Sequence, residues 1–163
     1  MTWPPTPIVT ERLVLRQSEA RDRAAYVELF ASPEVGTYIG GSQPRADVER
    51  AVSELPGRRF GSFVAELDGA MIGMITFDGG DAGETEIGYL FLPSAWGQGY
   101  ATEACVGALA WFASTRPGES VALRTQTANT ASLRLAAKLG FTEVKRYVEY
   151  GAEQWLGVWS PDR

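Results

Sequence analysis

The order of apolar and polar residues changes its period several times along the chain, and each change predicts a new element of secondary structure. Two-residue alternation is typical of strands, and it predicts strands at 12–17, 60–67, 70–77, 86–92, 121–127, 142–150 and 154–160. Apolar residues spaced three and four positions apart predict helices at 19–30, 45–55, 101–114 and 130–139.

Residues at the boundaries of these segments support the division. Ser18 is a suitable N-cap for the first helix, and Gly140 follows the last helix at the position that a C-cap glycine prefers. Asp68-Gly69, between two apolar runs, predicts a tight β-hairpin. Glycine-rich segments at 32–41 and 78–83 predict irregular connections.

Length and charge limit the class of protein. A chain of 163 residues can bury one core, so we expect a single α+β domain over 1–163 on a mostly antiparallel sheet. The net charge is −5 and the Lys and Arg residues form no stripe, which argues against a nucleic-acid partner. Neither a signal peptide nor a membrane-spanning apolar run is apparent. We therefore expect a cytoplasmic protein without a membrane partner.

The residue types that are missing limit the chemistry. The sequence contains no histidine, which excludes Ser-His-Asp catalysis and His-based zinc sites, and we expect no metal. The one cysteine, Cys105, lies on the apolar stripe of a predicted helix. A buried structural thiol is therefore favoured over an acyl carrier, and a lone thiol agrees with a reducing cytoplasm.

The segment WGQGYATEA, at 96–104, joins a predicted strand to a predicted helix. Its two glycines leave backbone N–H groups at a helix N-terminus, where an anion binds favourably. The dinucleotide fingerprint would need glycine in place of Thr102, and the P-loop would need a Gly-Lys-Ser/Thr triplet that the chain lacks. A coenzyme A pyrophosphate loop and an ordinary strand-to-helix turn remain as alternatives.

The segment 96–101 resembles the acetyl-CoA loop of the GNAT N-acetyltransferase superfamily, whose usual pattern is Arg/Gln-x-x-Gly-x-Gly/Ala. Trp96 holds the first position, as is common in the ribosomal-protein N-terminal alanine acetyltransferase (RimJ/RimL-like) branch. Four further segments resemble the same branch in the expected order, at 10–16 (TERLVLR), 32–35 (SPEV), 86–89 (EIGY) and 129–141 (NTAS leading to KLGF).

This resemblance implies a three-layer α/β/α fold, with a mixed, mostly antiparallel twisted sheet of about seven strands and helices on both faces. It also implies acetyl-CoA as co-substrate and direct attack by a primary amine in a ternary complex. The residues that it assigns to cofactor binding are Phe91, Leu92, Gly97, Gln98, Gly99, Tyr100, Ala101, Thr102, Asn129 and Ser132. The loop itself contains no Lys or Arg, so N–H groups and the helix dipole must attract the pyrophosphate.

Glu86 is the predicted base that accepts the proton of the amine. Strand alternation places it on one face with Gly88 and Leu90, and in similar enzymes a carboxylate on this strand acts as the base, usually through water. A solvated glutamate at the strand end is the alternative, because a general base is identified by geometry first. Pro93 should interrupt strand pairing, so that N–H groups around Phe91 face the thioester oxygen.

The residue that assists the leaving thiolate does not follow the usual pattern of the family. The family commonly uses a tyrosine seven residues after Asn129, but this chain has Ala136 there. In similar N-terminal alanine acetyltransferases a serine at the position of Ser132 is proposed to protonate the thiolate. A serine hydroxyl is a poor acid, so positioning or a relay through water stays open. Asn129 also suits a helix N-cap.

The predicted acceptor entrance contains Glu34, Tyr38 and Tyr150, which lie in connecting segments. The favoured acceptor is a protein or peptide N-terminal α-amine, and a small-molecule amine, such as an antibiotic or a polyamine, is the alternative. A non-catalytic acetyl-CoA-binding regulatory module is the rival from another class, because Ala136 lacks the usual hydroxyl. The oligomeric state, including a homodimer, is left open.

Overall fold

The computed structural model describes residues 6–51, 61–79 and 84–161. Within these ranges eight strands form one sheet in the order β1-β2-β3-β4-β5-β6-β8-β7. The strands are β1 Ile8–Val9, β2 Val14–Arg16, β3 Ser62–Leu67, β4 Ala70–Gly79, β5 Thr85–Phe91, β6 Val121–Gln126, β7 Thr142–Glu149 and β8 Ala152–Trp159. The α-helices are α1 Arg23–Ala31, α2 Pro33–Gly36, α3 Arg45–Ala51, α4 Tyr100–Thr115 and α5 Thr130–Leu139.

Helices cover both faces of this sheet. Because successive residues of a strand point to opposite faces, one strand contributes side chains to the cores on both sides. Ile75 and Phe77 of β4 pack in a core with residues of α4 and α5. Met74 of β4 points the other way and packs with Tyr26 and Leu29 of α1. The predicted three-layer α+β fold is therefore confirmed. The sheet has one strand more than the seven predicted, because the short β1 pairs with β2.

The first predicted helix begins differently from the expectation. A 3-10 turn at Ala20–Asp22 precedes α1, and the N-cap of this turn is Glu19 rather than Ser18. The Glu19 N–H donates to the buried Asp22 carboxylate over 2.7 Å. Asp22 also accepts two bonds from the Arg16 guanidinium. The predicted cap at Ser18 is therefore wrong by one residue: Glu19 and Asp22 form a capping box, and the ion pair with Arg16 holds the Asp22 carboxylate in it.

The other boundaries lie close to their predicted positions. The segment 32–41 contains the short α2, because Ser32 accepts a bond from Val35 N and caps it. The predicted hairpin turn is present, with positive φ at both Asp68 and Gly69. The predicted end of α3 and most of the turn at 78–83 fall outside the described residues. No helix in the described ranges combines the length and the apolar composition that a membrane span would need.

The sheet opens between β5 and β6, which run parallel to each other, whereas each of them is antiparallel to its other neighbour. Their register pairs are Thr85↔Val121 and Glu86↔Ala122, although β5 continues to Phe91 and β6 to Gln126. On its other edge β6 stays paired with β8 along its whole length. The two strands therefore diverge after Glu86 and leave a wedge-shaped opening toward their C-terminal ends.

Candidate active site

The glycine loop lies at the end of β5, beside this opening. Gly97 and Gly99 have φ values of 75° and 81°, which a residue without a Cβ adopts easily. Gly99 is the N-cap of α4 and has no side chain with which to cap the helix. The Trp96 indole N–H donates to the carbonyl oxygen of Phe91 over 2.8 Å and so fixes the loop to the strand. The first turn of α4 consequently presents its N–H groups to an anion.

Arg12 supports the loop from a distant part of the chain, which sequence reasoning missed. Its guanidinium donates to the carbonyl oxygen of Gln98 over 2.9 Å and to Glu103 of α4 over 2.7 Å, and it lies over the Tyr100 ring. Burial opposes ionisation of Glu103, but bonds from Thr10 and Arg12 outweigh it and hold the Glu103 pKa below its usual range. A positive charge thus lies beside a loop that contains none.

Strand alternation decides which backbone donor faces the opening. The Leu92 N–H donates to the carbonyl oxygen of Ile72 in β4 over 2.9 Å. Because successive N–H groups of a strand point to opposite edges, the Phe91 N–H points toward β6. Of the two predicted backbone donors, Phe91 is therefore the one aimed at the opening.

The N-terminus of α5 forms the other wall of the opening, just after β6. The Asn129 side chain caps this helix and accepts a bond from the Ser132 N–H over 3.3 Å. Ser132 is 8% exposed, and its Oγ lies 2.5 Å from the Tyr89 hydroxyl of β5. Burial raises the pKa of Tyr89 to about 12. Tyr89 was not predicted as a site residue, although it belongs to the EIGY segment that carried the resemblance.

Two other side chains of α4 and α5 lie in the core, and for Cys105 this was predicted. Ala136 is fully buried in the core between these helices and the sheet. Cys105 is fully buried as well, and burial raises the pKa of its thiol to about 12. A buried and protonated thiol is a poor nucleophile, which agrees with the structural role predicted for Cys105.

Glu86 lies where β5 and β6 begin to diverge, and it is held by an arginine. The Nε of Arg124 is 3.5 Å from Glu86 Oε2, and a second guanidinium nitrogen is 3.3 Å from Glu84 Oε1. Arg124 also donates to the Tyr147 hydroxyl over 2.8 Å. Glu86 is therefore part of a charged cluster at the start of the opening, and its role as the base stays a prediction.

Glu86 and Ser132 approach the opening from opposite faces of the sheet. Leu90, which shares its face with Glu86, packs against the core under α1 and α2. Tyr89, which bonds Ser132, packs against the core under α4 and α5. The loop and Ser132 thus belong to one side of the opening, and Glu86 belongs to the other.

The residues predicted for the acceptor entrance lie toward the same end of the sheet. The carbonyl oxygen of Tyr38 accepts a bond from the Gln126 side chain at the end of β6 over 3.3 Å. Glu34 is exposed in α2, before Tyr38. Tyr150 is 93% exposed in the β7–β8 turn, close to the pair Gln126↔Gln154.

Comparisons with known proteins concern the chain as a whole. The sequence model of the family described as "Acetyltransferase (GNAT) domain" matches residues 12–142. The uncharacterized N-acetyltransferase p20 of Bacillus licheniformis is 30% identical over 146 residues, which cover 82% of this chain and 81% of p20.

Solved structures show the same fold. The GNAT-family acetyltransferase from Bacillus anthracis has a TM-score of 0.85 and 23% identity, and the match covers 97% of this chain and 100% of that one. RimL, a ribosomal alpha-N-protein acetyltransferase in complex with coenzyme A, has a TM-score of 0.78 and 16% identity, with coverage of 96% and 99%. At these identities the two structures support the fold alone.

Proposed function

This chain belongs to the acetyltransferase (GNAT) family, and we propose that it transfers acetyl from acetyl-CoA to the N-terminal α-amine of a protein or peptide. The observation that carries the proposal is the opening between β5 and β6. The predicted cofactor residues lie on one side of this opening, and the predicted base lies on the other. Such an arrangement suits direct attack in a ternary complex, because both substrates meet without a covalent enzyme intermediate. The buried Cys105 supports the same conclusion.

The residues around the loop fit the coenzyme. In the proposal, N–H groups from Gly97 to Thr102 bind the pyrophosphate, and the nearby Arg12 guanidinium adds attraction for its charge. An ideal Cβ at Gly97 would meet open space, so the face of the loop is accessible to a ligand. The coenzyme supplies an acetyl group already activated as a thioester, and Asn129 and Ser132 lie beside the path of its arm.

The chemistry then requires three contributions from the chain. Glu86 accepts the proton of the attacking amine, directly or through water. The Phe91 N–H donates to the carbonyl oxygen as negative charge develops there. Ser132 interacts with the sulfur as the carbon–sulfur bond breaks.

The choice of an α-amine rests on acid–base arguments, and RimL offers a precedent within the same fold. An α-amine has a pKa of about 8 and a lysine amine one of about 10.4. An α-amine therefore needs a weaker base to lose its proton, which suits Glu86, a carboxylate that is already paired with Arg124. RimL, which has the same fold, is an alpha-N-protein acetyltransferase. The net charge of −5 also favours a cationic acceptor. We place the reaction in the cytoplasm as part of this proposal.

The test is release of coenzyme A thiol with three groups of acceptors. Peptides with free N-termini should accelerate the release, whereas the same peptides with blocked N-termini should not. Faster turnover with polyamines or aminoglycosides would assign the chain to small-molecule acetylation. Thiol release that no amine accelerates would favour the regulatory module.

Ser132→Ala is expected to lower kcat about fivefold while KM for acetyl-CoA changes less than about twofold. The reason is that an interaction with the leaving sulfur strengthens only in the transition state. Ser114→Ala is the control, because Ser114 bonds a backbone carbonyl at the exposed end of α4, and steady-state kinetics should not distinguish it from wild type. Equal losses of kcat and of acetyl-CoA affinity would instead assign Ser132 to cofactor binding.

A further inference from the structure

We propose that Tyr89 is a positioning residue for Ser132: its hydroxyl donates to Ser132 Oγ and directs the serine's own proton toward the leaving sulfur. This inference rests on the proposed function and deepens it. It assigns a role to a residue that neither the loop pattern nor the missing tyrosine at Ala136 indicated. The phenol reaches the leaving group through the serine rather than by direct contact.

The geometry joins the two walls of the opening at one point. Tyr89 lies on β5 and Ser132 on the first turn of α5, 43 residues later, and their hydroxyl oxygens are 2.5 Å apart. The Asn129 side chain, which caps α5, accepts a hydrogen bond from the Ser132 N–H and so fixes the backbone of Ser132. The serine hydroxyl is therefore held from two directions before any substrate binds.

The acidity of the two groups gives the direction of this hydrogen bond. Each hydroxyl has one proton to donate and an oxygen that can accept, so the 2.5 Å contact alone fits either direction. A phenol is a stronger acid than an aliphatic alcohol, so Tyr89 is the better donor. We therefore assign the phenol as the donor and the serine oxygen as the acceptor. The serine proton is left for a ligand in the opening.

Tyr89 does not itself supply the proton that ends on the sulfur. Burial raises its pKa to about 12, whereas an ordinary thiol has a pKa of about 8.5. Full transfer from phenol to thiolate is thus unfavourable by roughly three orders of magnitude. Tyr89 stays protonated and acts through the hydrogen bond.

The complete step balances without a proton from either hydroxyl. The amine nitrogen forms a bond to the carbonyl carbon, and the carbon–sulfur bond breaks with its electron pair on sulfur. Ser132 donates a hydrogen bond to that sulfur while the charge develops. The proton lost by the amine passes to Glu86 or water, and one proton from solvent finally neutralises the thiolate.

The test is a double-mutant cycle on Tyr89→Phe and Ser132→Ala, measured as kcat and as KM for acetyl-CoA. Tyr89→Phe keeps the ring and removes the donor, so kcat should fall about threefold to fivefold with KM nearly unchanged. In the Ser132→Ala background, Tyr89→Phe should cause no further loss. Tyr26→Phe is the control, because this buried tyrosine packs under the opposite face of the sheet; it should leave kcat at the wild-type value.

Two results would overturn the inference while leaving the proposed function intact. In the first, Tyr89→Phe has the wild-type kcat although Ser132→Ala is defective. In the second, the double variant loses kcat by the product of the two single losses, as expected for residues that act independently. A wild-type protein that releases no thiol with any amine would overturn the proposed function and this inference together. Calorimetric binding of coenzyme A to each variant verifies that the site is folded.

Discussion

Glu86→Gln is expected to lower acetyl transfer about a hundredfold, the usual size of a general-base contribution. The glutamine keeps the shape of the side chain beside Arg124 but removes the ability to accept a proton. The loss should shrink as the pH rises, because a growing fraction of the acceptor is then already neutral. For an α-amine the recovery should occur around pH 8, and for a lysine amine it would need a pH above about 10.

The matched control for Glu86 is its neighbour in the charged cluster. The Glu84 carboxylate lies 3.3 Å from the Arg124 guanidinium. Unlike Glu86, Glu84 is not among the residues of β5 that pair with β6. Glu84→Gln therefore disturbs Arg124 in a similar way but leaves the predicted base in place, and we expect a loss of less than about threefold. A Glu86→Gln defect that does not change with pH would mean that Glu86 orients the acceptor. Equal defects in both variants would assign the effect to Arg124.

Gly99→Val is expected to lower acetyl-CoA affinity at least about tenfold, or about 1.4 kcal/mol. The φ of 81° at Gly99 is strained for a β-branched residue. The added Cβ would lie 3.3 Å from a guanidinium nitrogen of Arg12. Both effects shift the loop and its N–H groups away from the pyrophosphate, which isothermal titration calorimetry would detect directly.

Gly118→Val separates loss of binding from loss of stability. Gly118 has the same φ of 81° but lies in the turn after α4, and its added Cβ would meet open space. Both variants should therefore lose similar thermal stability from backbone strain, whereas Gly99→Val alone should lose acetyl-CoA affinity. Unchanged affinity in a folded Gly99→Val would contradict the assignment of the loop.

The elements that were predicted well have local causes. Helix α5 spans Thr130–Leu139, as predicted, because Asn129 caps its start and Gly140 ends it at a φ of 92°. The β3–β4 turn likewise has a local cause, because Asp68 and Gly69 both adopt positive φ. The start of the first helix was predicted one residue too early, because the capping box uses Glu19 and Asp22 rather than Ser18, and Asp22 is held in place by Arg16 from strand β2.

The site residues that were missed have distant partners. Arg12 meets Gln98 across 86 residues, Tyr89 meets Ser132 across 43, and Arg124 meets Glu84 across 40. Spacing along the chain does not indicate such contacts, because they depend on the order of the strands and on where β5 and β6 diverge. Alternation did predict that Glu86 shares its face with Leu90, but it could not indicate what each side chain meets there.

The most direct test of the proposed acetyl transfer is the position of the acetyl group in a peptide that carries both an α-amine and a lysine. A set of such peptides with different first residues is incubated with the protein and acetyl-CoA, and the products are sequenced by tandem mass spectrometry. We expect acetylation at the N-terminal nitrogen, and its loss in Glu86→Gln at pH 7. Two results would contradict the proposed function: acetyl groups on the lysine alone, or peptides that stay unmodified while the same protein acetylates a polyamine.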